Sequence, residues 1–114
     1  METELDETIS ACMEAVGALA RGERKTEDIC IHTRSLLAIC KIASSTYSSL
    51  LVGALASQIG EVLLSAANAV AEWSKQNDCT PAETSNVERT ISRSKEYQEL
   101  LQSIESPAEL QKVA

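Results

Sequence analysis

Small residues recur every seven positions, at Gly53, Gly60, Ala67 and Ser74, inside a long helix-forming segment that also carries a complete apolar stripe. Seven residues are roughly two helical turns, so these positions share a face. Glycine inside a helix costs about 1 kcal/mol relative to alanine, so two glycines at this spacing make sense where another backbone must come close. The ladder therefore predicts helix–helix assembly. Its neighbour is either a helix of the same chain, for which Ser10 and Gly17 offer a matching heptad pair, or another molecule. Close approach through small side chains serves both arrangements, and the intrachain one is favoured.

The rest of the chain agrees with an all-α fold. It holds three aromatic residues and no Phe, with only two prolines and four glycines to punctuate turns. Its length of 114 residues fits one domain, spanning 1–114, that can bury a core without metals or disulfides. The net charge of -7 repels phosphate backbones and anionic lipid surfaces, so no nucleic-acid partner is expected and membrane association is disfavoured. The acidic start, Met1 to Glu7, is unlike a secretory signal or a mitochondrial presequence, and it predicts a cytoplasmic setting. Cys12, Cys30, Cys40 and Cys79 show no CxxC spacing and are read as free thiols.

Four helices follow from the apolar periodicity, at about 3–21, 26–44, 49–76 and 80–105, with a short helical turn over 106–114. The first places Leu5, Ile9, Cys12, Val16 and Leu19 on one stripe and ends in the basic, glycine-containing stretch 21–25. The second carries Ile29, Leu36, Cys40, Ala43 and Tyr47 on its core face. Its opposite side bears Ile31, Ala38 and Ile42 where a simple amphipathic helix would be charged. The hydroxyl-rich run 44–49 predicts a break, with one continuous helix from about 26 to 76 as the alternative. The third helix is expected to be central: Leu51, Leu55, Ile59, Val62, Ala66, Val70 and Trp73 form a stripe, with the ladder beside it. Thr80-Pro81-Ala82-Glu83 is an N-cap, a proline at the first helical position and a capping glutamate. The helix it opens, with Val87, Ile91, Ser94, Tyr97, Leu101 and Ile104 on one face, is expected to lie on the outside. The same start signal, Ser106-Pro107-Ala108-Glu109, predicts the final short turn.

The result is an up-and-down four-helix bundle, and Ala- and Ser-rich bundles of this kind resemble the helical modules of cytoskeletal adaptors such as talin and vinculin in architecture. No nucleophile elbow, Gly-rich phosphate loop or carboxylate pair flanking a pocket occurs, so no enzymatic activity is expected. His32 is the single histidine, and an all-helical chain of this size resembles histidine phosphotransfer domains. In that family the phosphorylated His is followed by Lys three residues on and Gly four residues on, where this chain has Ser35 and Leu36. Cys30 and His32 point about 200° apart on their helix, which argues against a metal, and no cofactor is expected. The cluster Arg21, Arg24 and Lys25 is read as a solvated helix end, with an acidic partner or phosphate as the alternative.

What remains is surface display. The expected activity is protein–protein interaction through Ile31, Ala38 and Ile42 and any exposed part of the ladder at Gly53, Gly60 and Ala67, with another protein or a second copy as partner. The alternatives are phosphotransfer through His32, and lipid or membrane association by opening of the third helix.

Overall fold

A computed structural model of the chain describes residues 2–46 and 54–113, with side-chain burial described over 4–42 and 56–102. Four helices make up these residues: α1 (Glu2–Ala20), α2 (Thr26–Thr46), α3 (Ala54–Gln76) and α4 (Pro81–Val113). One apolar core draws on all four, with Cys12, Ile29, Leu36, Ile59, Ala66, Val70 and Tyr97 at its sealed centre.

The helix ends are set by local chemistry. Gly22 takes φ +96°, a left-handed conformation that costs glycine nothing, and so closes α1. The Glu23 amide then reaches back to the Ala18 carbonyl and the Gly22 amide to that of Leu19, each at 3.1 Å, which satisfies carbonyls the helix end would leave orphaned. At the start of α4 the Thr80 hydroxyl accepts from the Glu83 amide at 3.1 Å, while the Glu83 carboxylate accepts from the Thr80 amide at 3.0 Å. This is the reciprocal cap expected of Thr-x-x-Glu.

Chain direction alternates. The connection 21–25, the start of α2, the end of α3 and the start of α4 meet at one end of the bundle, where Arg24 bonds both Glu83 and the Asp78 carbonyl. Toward the other end Lys41 of α2 pairs with Glu96 of α4 at 2.6 Å, and the Tyr97 hydroxyl donates to the Ala56 carbonyl of α3 at 2.8 Å. Around the bundle, however, the helices are not placed in sequence order. α1 and α4 each pack along both α2 and α3, whereas α2 and α3 meet only lightly. α2 and α3 thus stand diagonally across the bundle, and α2 lies beside α4 as a parallel neighbour.

Two expectations are corrected by the structure, and a third falls partly outside the described residues. α4 is not an outer helix, because Val87, Thr90 and Tyr97 are buried and it lies along two neighbours. Its buried set includes a threonine whose hydroxyl is satisfied by the Asn86 carbonyl at 2.8 Å, so apolar periodicity alone underrated that face. Residues 106–113 do not open a separate turn: α4 runs unbroken to Val113. The predicted break at 44–49 is only partly within view: residues 44–46 are helical, the rest lie outside the described residues, and so does Gly53.

The glycine ladder has a different partner from the one its spacing implied. A Cβ at Gly60 would stand 3.4 Å from Tyr97 Cε2, so the space beside it is filled by an aromatic ring and not by a second backbone. Ala67 is buried at 6 % exposure. Gly17 of α1 faces the Arg21 side chain of its own helix. The described part of the ladder is used inside the chain, at least in part against α4.

Candidate partner-binding surface

Helix geometry places Ile31, Ala38 and Ile42 within about 20° of one line along α2. All three face solvent, with Ile31 41 % and Ile42 57 % exposed. The core side of the same helix seals Ile29, Leu36 and Cys40, so α2 carries a second apolar face that is exposed among the described residues. Leu64 of α3 is exposed as well, but its helical neighbours Glu61 and Asn68 are polar and exposed.

Two clefts flank the Ile31 end of this line. On one side α2 meets α1, and a cleft of about 270 Å³ is lined by Glu14, Arg21, Glu23, Lys25, Asp28 and His32. Carboxylates and cations alternate there: Arg21 pairs with Glu23 at 3.6 Å and Lys25 with Asp28 at 3.4 Å. His32 is half-buried among them, with Glu14 and Asp28 on the lining.

On the other side α2 meets α4, and a second cleft of about 270 Å³ is lined by Ile31, Arg34, Arg89 and Arg93, with Glu27 and Asn86. Arg93 is half-buried and held from below: its guanidinium donates to the Cys30 carbonyl, lies 3.1 Å from Cys30 Sγ and 3.3 Å from Thr33 Oγ1. Thr33 is itself fully buried and turns its hydroxyl to the Ile29 and Cys30 carbonyls. Arg34 and Arg89 are exposed, and neither makes an ion pair or side-chain hydrogen bond with the described residues. Three arginines thus gather in one cleft of a chain whose net charge is -7. Apolar periodicity carries no sign of them, because Arg89 and Arg93 fall on a polar face of α4. Their spacing of four residues, and Arg34 three residues from Ile31, are the available signal.

The basic cluster at 21–25 is not a clamp. Arg24 forks onto both carboxylate oxygens of Glu83, at 2.8 and 2.5 Å, and lies 5.0 Å from the Trp73 ring centroid. The arginine hydrogen bond and the Thr80 amide hold the Glu83 carboxyl down at about 2. Among the described residues no group of His, Cys, Asp and Glu converges as a metal site would require, and no helix is long and apolar enough to cross a membrane. Cys12, Cys30 and Cys40 are buried and Cys79 half-buried, all four as free thiols. Burial raises the Cys12 and Cys40 thiols to about 11.

No protein-family model matches this chain, and neither a curated protein nor a solved structure matches it.

Proposed function

We propose that this protein is a non-enzymatic interaction module of the adaptor type, and that it binds a partner protein through the outward face of α2. The observation that carries the proposal is the exposure of Ile31 and Ile42 on one line with Ala38, on a helix whose other side is fully committed to the core. Aliphatic side chains scattered singly over a surface need no explanation, but three aligned over three turns form a stripe of the kind partner helices use. Gly60 and Ala67 do not belong to this surface, since the bundle itself occupies them. The free thiols fit a reducing cytoplasm, where we place the protein.

Ala38→Arg tests the proposal directly. Ala38 is exposed, so the substitution should leave helical circular dichroism and the melting temperature unchanged. Affinity capture from cell extract, followed by mass spectrometry, should show proteins retained by the wild type and lost by the variant. An identical capture profile for the two, with both folded, would overturn the assignment.

A further inference from the structure

We propose that the occupant of this surface is an acidic amphipathic helix of another protein, lying in the α2–α4 groove with aliphatic side chains on Ile31 and Ile42 and carboxylates on Arg34, Arg89 and Arg93. The inference rests on the docking face proposed above and adds the chemistry of the partner.

Charge argues for it. The chain has ten basic residues in all, and three of them line this one cleft against a single glutamate, Glu27. Elsewhere four cations are paired within the chain, Arg21 with Glu23, Arg24 with Glu83, Lys25 with Asp28 and Lys41 with Glu96, while Lys75 and Lys95 stand apart from this cleft. Arg34 and Arg89 have no such partner among the described residues. Arg93 is fastened by a carbonyl, a thiol and a hydroxyl, all of which orient a guanidinium and none of which neutralises it. A fixed cation with two free ones beside it is a receptor for carboxylates, which arginine binds through paired N–H donors.

Shape and symmetry narrow the occupant further. Ile31 and Ile42 are eleven residues apart, about 16 Å along the helix, which matches three turns of a partner helix laid alongside. Self-association through the same face is disfavoured, because a two-fold contact would bring each arginine set against its own copy.

The test uses the full chain and a fluorescein-labelled, capped peptide of about 18 residues, long enough to hold helix, built from Leu, Ala and Glu with Leu at helical i, i+4, i+7 and i+11 spacing. Two counterparts replace every Glu with Gln or with Lys. Fluorescence anisotropy should show saturable binding of the Glu peptide, about tenfold weaker for Gln, lost for Lys, and weakening as salt is raised. Arg34→Gln with Arg89→Gln should sharply reduce the preference of Glu over Gln while leaving the melting temperature unchanged, since neither side chain has a partner among the described residues. Ile31→Ser with Ile42→Ser should abolish binding of both peptides.

Equal binding of the Glu and Gln peptides, with loss of both in the isoleucine variant, would overturn the acidic partner and leave the docking face standing. No saturable binding of any peptide up to about 1 mM would overturn both. Arginine-dependent binding to vesicles of anionic phospholipid in place of the peptide, or a concentration-dependent dimer by light scattering that Ile31→Ser with Ile42→Ser abolishes, would overturn the partner class.

Discussion

The Arg24 guanidinium lies 5.0 Å from the centroid of the Trp73 ring while its Nε and Nη2 both donate to the carboxylate of Glu83. A residue of the α1–α2 connection is thereby sandwiched between the last turns of α3 and the cap of α4, and a further donation to the Asp78 carbonyl at 2.9 Å closes the end of the bundle. Cation–aromatic attraction and a forked ion pair reinforce one another here, because each orients the same planar group.

Acid should loosen this end first. Glu83 titrates at about 2 in the folded chain against an ordinary 4.5, so the folded state binds this proton less readily than the unfolded one. Its contribution is complete above 4.5, declines as pH falls and is gone below about 2. Comparing melting temperatures of the wild type and Glu83→Gln from neutral pH down to about pH 1 should show a gap at neutral pH that closes as the carboxylate is protonated. A gap that persists below pH 2 would assign the effect to something other than the ion pair.

Thr80→Ala removes the hydroxyl that accepts from the Glu83 amide. A lost N-cap of this kind costs about 1 kcal/mol, to be read as a lower midpoint in urea with an unchanged slope. Thr80→Ser keeps the acceptor and should restore most of the difference.

Gly60 distinguishes a ring neighbour from a backbone neighbour. Its added Cβ would meet only the edge of Tyr97, at 3.4 Å, and helix propensity favours alanine over glycine by about 1 kcal/mol. Gly60→Ala should therefore match or exceed the wild type in thermal stability, whereas Gly60→Leu should destabilise by displacing the ring. Loss of stability in the alanine variant would mean that the helices approach more closely than this.

Tyr97→Phe deletes a hydroxyl that is fully buried and bonded to the Ala56 carbonyl at 2.8 Å. The Ala56 carbonyl keeps its place in the helical ladder, so loss of this one bond should cost about 1 kcal/mol in chemical denaturation. The phenol itself, pushed up to about 12 by burial and the nearby Cys40, should not ionise in the folded protein before alkaline unfolding. Ultraviolet titration of its absorbance checks this.

Thiol labelling should be ordered by burial. Cys12 and Cys40, sealed and raised to about 11, should resist iodoacetamide at pH 8 in the native state, and half-buried Cys79 should react first. Mass spectrometry after brief labelling reads the order. Rapid modification of Cys40 without denaturant would contradict its place in the core.

Four helices, their alternating direction and most of the core were legible in the sequence because they depend on spacing and caps. Leu5, Ile9, Cys12, Ile29, Leu36, Ile59, Val70 and Trp73 all lie buried on the stripes that periodicity assigns them. Gly22 and Thr80 mark helix ends through contacts that span no more than a few residues, and such local contacts are written directly in the order of the chain. The exposed second face of α2 was equally visible, since Ile31, Ala38 and Ile42 obey the same arithmetic.

Only tertiary structure decided what those faces meet. Glycine spacing reports that something fits closely at Gly60 but not that it is the ring of Tyr97, because a small side chain admits an aromatic edge and a backbone alike. The pairing of Arg24 with Glu83, 59 residues away, and the gathering of Arg34 with Arg89 and Arg93 depend on α2 lying beside α4 instead of α3. Periodicity sets which way a side chain faces on its own helix. The order of helices around the bundle follows from how all four surfaces pack at once, and that order brings the three arginines together.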